Sequence, residues 1–153
     1  MPRNLVLFGA DLSGIDLHGR ELRKADLAAC NLEGANLEGA NLVAPVLRQA
    51  RLRGARLAGA KGNRWKLNHA DLTDADLRGV EVELLFADQL IARRADFRRA
   101  RLTTLTATGA DFAESRWQDA TVVGGALQSC RFDGAMVDGL TLEHVVLENT
   151  AVR

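Results

Sequence analysis

The chain has 153 residues and a formal net charge of zero, with 20 Lys and Arg side chains against 20 Asp and Glu. A hydrophobic content of 47% excludes global disorder, and the zero net charge argues against a generic polyanion binder. We expect residues 1–153 to form one domain. Because only 5% of the residues are aromatic, aliphatic side chains must build most of its core.

A five-residue repeat runs along the chain without a change of phase. Every fifth position from 7 to 152 falls in one column, and 18 of its 30 members are Leu. Two residues before this column, 14 of 30 positions are Ala, and two residues after it lie 12 of the 14 glycines. The residue just before the Leu is often Asp or Asn, so the unit reads A-(D/N)-L-x-G, which we number from its first position, the small residue, to its fifth. The third position, here called the central column, includes Leu27, Leu32, Leu37, Leu42, Leu72, Leu77, Phe97 and Phe112.

Period five fits neither an α-helix nor a β-strand, and a short fixed repeat predicts a solenoid whose units bury their apolar faces by stacking. The charges indicate the length of one coil, because residues directly above each other should carry opposite signs. Of the 14 charged pairs that lie four units apart, 11 are of opposite sign, whereas among pairs three units apart 9 are opposite and 8 are alike. The sequence therefore favours coils of four units.

The unit is clearest in residues 25–27, 35–42 and 70–77, and there the chain resembles the pentapeptide-repeat family. The resemblance extends over nearly the whole chain. It implies an all-β fold, a right-handed quadrilateral β-helix with four pentapeptides per coil and about seven coils. In that fold the central column points inward and the Ala column lies at the inner corners.

The first break in the pattern lies at residues 60–65. Gly62 occupies the central column, and Trp65 occupies the position of the small residue. We expect Trp65 to lean over the space that Gly62 leaves, as a packing compensation and not as a ligand site.

The second break covers residues 80–92, where the large and small positions exchange their residues. Leu85 and Leu90 stand at the small position, and Ala87 and Ala92 stand in the central column. The segment is either a short helix or insert that preserves the phase, or a distorted coil that conserves core volume. We favour the distorted coil, because oppositely charged pairs four units apart continue across the segment.

Three apolar residues at the usually polar second position are candidates for an interaction surface. Phe86 and Ile91 are expected to be exposed on neighbouring faces of a distorted coil, and Val146 belongs to an apolar last coil. We expect that a terminal coil, the C-terminal one in preference, is buried in a head-to-head homodimer, because solenoid ends expose unpaired strand edges.

No arrangement of residues predicts catalysis, a cofactor or a metal. The three histidines, His18, His69 and His144, are far apart in sequence and lie in outward columns, and Cys30 and Cys130 read as small core residues. Residues 48–66 contain seven basic groups and no acid, but this stretch covers about one coil and surrounds the rod, so we do not expect direct nucleic-acid binding.

We therefore predict a non-enzymatic protein that acts as a rigid protein-interaction or structural module. The resemblance implies one alternative, because relatives in the family that confer quinolone resistance or self-immunity act on DNA gyrase as mimics of DNA. The zero net charge and the arginines that interrupt the acidic columns argue against it. Without an apolar run long enough to span a membrane or a recognisable signal peptide, we expect a cytoplasmic bacterial protein with no membrane insertion.

Overall fold

The computed structural model describes residues 5–152, and in this range the chain forms strands, isolated bridges and turns but no helix. No segment of the described chain is therefore a helix that could cross a membrane. The six strands are β1 (Asn41–Val43), β2 (Lys61–Lys66), β3 (Glu81–Phe86), β4 (Arg101–Thr108), β5 (Thr121–Gln128) and β6 (Thr141–Glu148).

The six strands form one parallel sheet in the order in which they occur along the chain. Paired residues are separated by 20 positions in the sequence, as Asn41 is from Lys61 and Glu81 from Arg101. Isolated bridges keep the same separation outside the strands, from Val6 with Asp26 onward. The architecture is an all-β parallel solenoid whose six-stranded sheet spans about five turns, and each strand lies directly above the preceding one.

The repeat unit assigns a backbone partner to four of its five backbone N–H groups. The N–H groups of the third and fifth positions donate to the next coil, as in Leu27 N to Val46 O at 2.8 Å, and that of the second position donates to the preceding coil. The N–H of the first position closes a turn onto the third position of the unit before it, as in Ala35 N to Leu32 O at 3.0 Å. The N–H of the fourth position has no partner in this backbone scheme.

Asp and Asn at the second position accept that remaining N–H group. The Asp11 Oδ1 accepts from Ser13 N at 3.1 Å, and the Asn31 Oδ1 accepts from Glu33 N at the same distance. This side-chain turn satisfies a backbone donor that would otherwise depend on water. The preference for Asp or Asn before the Leu is therefore a backbone requirement, met without a ligand.

Every fifth position from 9 to 149 has a positive φ angle. In the turns this residue is the third of four, the place at which a type II turn requires φ > 0 and favours Gly. Twelve of these positions hold Gly, but 17 hold other residues, including Thr104 at φ 64° and Leu84 at φ 64°. The fold thus imposes left-handed backbone on residues that disfavour it.

The central column forms the axis of the core. The residues that the sequence assigns to it are at most 2% exposed: Leu27, Leu32, Leu37, Leu42, Leu72, Leu77, Phe97 and Phe112. Towards the C-terminal end the core becomes aromatic, with Phe97 stacked on Trp117 at 4.2 Å between ring centroids and Phe112 stacked on Phe132 at 5.0 Å. Edge-to-face contacts join the two stacks across the core, which adds packing energy beyond area burial.

Gly62 and Trp65 compensate for a proline in the neighbouring coil. Pro45 has no N–H with which to close a turn onto Leu42, and the indole Nε1 of Trp65 donates to the Leu42 carbonyl instead, at 2.9 Å. A Cβ atom on Gly62 would overlap the same carbonyl. The predicted contact between Trp65 and the space left by Gly62 is present, and the structure adds a hydrogen bond that the sequence reasoning missed.

Residues 80–92 form a coil in register and not an insert. β3 pairs with β2 on one side and with β4 on the other, and Leu90 N closes a regular turn onto Ala87 O at 3.1 Å. Leu85 and Leu90 point inward and are at most 2% exposed, and Ala87 and Ala92 are fully buried beside them. The exchange of large and small residues therefore conserves the core, as the distorted-coil interpretation requires.

The positive φ of Thr104 provides a test of the backbone strain at the fifth position. A β-branched residue is strongly disfavoured in the left-handed region, so we expect Thr104→Gly to raise the free energy of unfolding by about 1 kcal/mol. Thr103→Gly is the matched control, because Thr103 lacks a positive φ and the change should destabilise β4 by about 0.5–1 kcal/mol. Urea denaturation measures both; equal destabilisation by the two variants would contradict the argument.

Candidate interaction surfaces

The three predicted interaction residues do not form one patch. Phe86 and Val146 lie in the same ladder, three pairings apart, and Ile91 lies between Asp71 and Asp111 in another ladder. Ile91 is 43% exposed and Val146 is 62% exposed. Phe86 is only half-buried and not fully exposed, because it packs within the sheet between Lys66 and Thr106.

The C-terminal coil has an open apolar end. Met136, Val146 and Leu147 are large apolar residues with 43% or more of their surface exposed. Beside them an open cavity of about 280 Å³ exposes the end of the core. Its lining residues are Val137, Leu140, Leu142, Leu147 and Val152. The apolar character that the sequence indicated for the last coil is therefore present at the surface.

The N-terminal coil carries a second apolar group that sequence reasoning missed. Leu5, Val6 and Phe8 are 41%, 66% and 67% exposed. Val6 stands at the usually polar second position, which is the same signal that singled out Val146. Both ends of the described chain therefore expose apolar side chains.

One charged wall contains repeated Asp–Arg pairs. Arg78 binds Asp76 through two hydrogen bonds of 2.8 and 2.7 Å, and Arg98 binds Asp96 in the same way one coil later. The stacked carboxylates Asp76 and Asp96 are like charges, and each is compensated by the arginine two positions further on in its own coil. These pairs line a groove of about 700 Å³, together with Arg94, Glu114 and Arg116.

The arginines shift the ionisation of their partners. The hydrogen bond from Arg78 lowers the pKa of Asp76 below its ordinary value. Burial raises the pKa of Asp96, but the side-chain and backbone hydrogen bonds from Arg98 outweigh it, and the net pKa is also lowered. Both groups are therefore held as carboxylates near neutral pH.

Most of the ion pairs expected between residues one coil apart are not formed. Of the eleven opposite pairs, Asp74–Arg94 at 2.8 Å and Lys61–Glu81 at 4.0 Å approach as ion pairs among the described residues. The pair that includes Arg153 lies outside the described residues. Some other arginines reach a carboxylate diagonally along the wall, either in the neighbouring coil, as Arg51 does for Glu33, or within their own coil, as Arg78 does for Asp76. The charge statistics thus did not indicate the contacts.

The groups that could take part in chemistry are dispersed. Within residues 5–152, no three His, Cys, Asp or Glu side chains are grouped to hold a metal ion. Cys30 and Cys130 are free and buried, and burial raises the pKa of both thiols. His18, His69 and His144 lie at separate places on the outside of the rod.

Comparison with known proteins agrees with this geometry. The parallel solenoid with a five-residue unit is the class of protein that the fold defines. A family model described as pentapeptide repeats (8 copies) matches residues 10–44, 21–57 and 46–79. Over residues 10–79 the chain consists of the repeats that define the pentapeptide-repeat family. No curated protein shows a significant match to the sequence.

Solved pentapeptide-repeat structures are similar over most of the chain. A trypsin-treated form of QnrB1, a plasmid-mediated fluoroquinolone resistance protein, covers 96% of this chain and 92% of its own at 17% identity, with a TM-score of 0.58. HetL, involved in heterocyst differentiation regulation in Nostoc sp. strain PCC 7120, covers 97% and 90% at 21% identity with a TM-score of 0.38. A pentapeptide repeat protein from the Arabidopsis thaliana thylakoid lumen covers 84% and 62% at 27% identity with a TM-score of 0.27. The similarity to QnrB1 concerns the fold.

Acid should weaken the charged wall. Because the pKa of Asp76 is lower in the folded chain than in the unfolded chain, its carboxylate stabilises the fold above the unfolded pKa, and this contribution is lost as pH falls through the folded pKa. We expect the free energy of unfolding to fall between about pH 5 and pH 2, and to fall less in Asp76→Asn. Asp133→Asn, at a side chain that is 75% exposed, is the control. Identical pH profiles for the wild type and Asp76→Asn would contradict the assignment.

Proposed function

We propose that the protein is a non-enzymatic, rigid module for protein interaction or structure. The observation that carries the proposal is the distribution of exposed large apolar side chains: of the seven among residues 5–152, six lie in the first or the last described coil. These residues are Leu5, Val6, Phe8, Met136, Val146 and Leu147. The seventh, Ile91, stands alone on a charged wall. Exposed apolar groups gathered in this way are typical of contact surfaces.

We further propose the finer geometry of the rod, a right-handed quadrilateral β-helix with four pentapeptides per coil and about seven coils. The constant register, in which Asn41 pairs with Lys61 and Glu81 with Arg101, supports four five-residue units in each coil. One ladder supports the number of coils, because it passes through seven successive pairings between Val6 and Val146. Side chains on such a rod project at fixed intervals, as a docking module requires.

The interaction is tested by capture of a partner on the immobilised chain. Ile91→Lys and Val146→Lys each place a charge at an exposed apolar position. We expect the immobilised wild type to bind a partner protein in a fixed molar ratio, and at least one of the two variants not to bind it. Thr103→Lys is the matched control at an exposed position of β4. Mass spectrometry identifies the retained protein and separates it from copies of the chain itself. Equal retention by all four proteins would contradict the assignment of these residues.

The alternative function, modulation of DNA gyrase or another topoisomerase by a DNA mimic, is supported by the fold similarity to QnrB1. A DNA mimic needs a continuous line of negative charge. Here one ladder contains Asp11, Asn31, Arg51, Asp71, Ile91, Asp111 and Arg131 in succession. Because neutral and positive side chains interrupt the acids, this function is less favoured than the interaction module.

A supercoiling assay separates the two functions. We expect DNA gyrase to supercoil relaxed plasmid at the same rate with and without a molar excess of this protein, because the mixed ladders do not reproduce the charge of a DNA backbone. A quinolone titration in the same assay serves as a second readout. Inhibition of gyrase, or protection from the quinolone, would establish the alternative.

We also propose that the rods associate through a terminal coil. The exposed Val146 and Leu147 and the open cavity beside them support the C-terminal coil as this surface. The head-to-head homodimer expected from the sequence stays a prediction. Sedimentation at tens of micromolar tests the association itself.

A further inference from the structure

The backbone hydrogen bonds between coils have a direction. In each unit two N–H groups donate towards the C-terminal end, as Leu27 N does to Val46 O at 2.8 Å and Ala29 N to Arg48 O at 2.9 Å. One N–H donates in the opposite direction, as Val46 N does to Ala25 O at 2.9 Å. Each coil therefore presents two donors and one acceptor per unit to the coil that follows it.

The two ends of the rod consequently differ in hydrogen-bonding capacity. The outer edge of the C-terminal coil, residues 133–152, has two N–H groups for each C=O, and no strand of the described chain pairs with the outer edge of β6. The outer edge of the N-terminal coil, residues 5–24, has the opposite composition, two C=O groups for each N–H. The edge that best complements the C-terminal coil is thus the N-terminal coil of a second copy.

The side-chain charges favour the same arrangement. Residues 133–152 carry four acids and no Lys or Arg, whereas residues 5–24 carry three acids together with Arg20, Arg23 and Lys24. Two C-terminal coils in contact would bring eight carboxylates together without a basic partner. When an N-terminal coil contacts a C-terminal coil instead, only four carboxylates come from the C-terminal coil, and the coil that faces them has zero net charge.

The apolar residues at the two ends occupy equivalent places. Val6 and Val146 belong to one ladder, because seven successive pairings between adjacent coils lead from Val6 to Val146. A second copy that continues this ladder places its Val6 over Val146 and its Leu5 over Val145, so that its residues 5–12 lie over residues 145–152. Leu5, Val6 and Val146 would then be covered in the contact.

From these observations we infer that copies of the chain associate head to tail, with the N-terminal coil of one copy on the C-terminal coil of the next. The inference rests on the proposed association through a terminal coil. It replaces the head-to-head arrangement with one in which all copies point in the same direction. A head-to-tail contact leaves one free edge on each side of the pair, so it extends to longer rods as the concentration rises.

Single cysteine variants test the arrangement directly. Residues on adjacent parallel strands have Cα atoms about 4.8 Å apart, which is within the range of a disulfide. Val6→Cys and Val146→Cys proteins are mixed and oxidised, and a non-reducing gel is expected to show a disulfide-linked pair that contains one of each. Val6→Cys mixed with Thr103→Cys, on the side wall, is the matched control and should stay monomeric. The native Cys30 and Cys130 are buried and remain in all variants.

The other outcomes overturn the inference in distinguishable ways. Disulfide-linked pairs of Val146→Cys alone would establish the head-to-head arrangement and leave the terminal association intact. No disulfide in either mixture, with folded protein by circular dichroism and a monomer by sedimentation, would overturn both the inference and the terminal association. Neither result decides whether the chain binds another protein, because the capture experiment detects a partner protein and not a second copy of the chain.

Discussion

The constant step of four units between hydrogen-bonded coils is the constraint on which the rest of the structure depends. It places each paired residue above one at the same position of the unit, so that the buried central column runs along the core. Hydrogen bonds between coils satisfy three of the five backbone donors in each unit, a turn within the coil satisfies a fourth, and Asp or Asn supplies an acceptor for the fifth. The composition of the chain follows from this arrangement, because each position of the unit serves one backbone or packing requirement.

The period of the repeat made the fold predictable, since Leu, Ala and Gly columns that never lose phase are compatible only with stacking. The coil at residues 80–92 was predictable for the same reason, because an exchange of Leu85 and Ala87 leaves the core volume unchanged. The hydrogen bond from Trp65 to the carbonyl that Pro45 leaves without a donor was not, because it depends on a proline in the neighbouring coil. The ion pairs were also beyond the sequence, because rotamers and not register decide which carboxylate an arginine reaches.

The candidate surfaces were predicted less completely than the core. Ile91 and Val146 are exposed as their position in the unit implied, but Phe86 is half-buried against its neighbours in the sheet. The apolar N-terminal coil was missed although Val6 carries the same signal as Val146. An outward position in a repeat defines the direction of a side chain, whereas its exposure depends on the sizes of the residues above and below.

The left-handed fifth position explains how a strained backbone can tolerate a varied sequence. Seventeen of these positions hold a side chain other than Gly, and some of them, such as Asp74 and Arg94, form an ion pair across coils. Strain at one position is compatible with the fold because the hydrogen bonds on both sides of it fix the turn.

The constant step between coils also determines how the chain can reach its folded state. Contacts between coils join residues in successive coils, and no pairing between the two ends of the sequence is required. Folding can therefore begin at any pair of adjacent coils and spread in both directions, with each added coil closing a loop of the same modest length. The aromatic stacks of Phe97, Phe112, Trp117 and Phe132 make the C-terminal half the region where such a nucleus gains most from a single added coil.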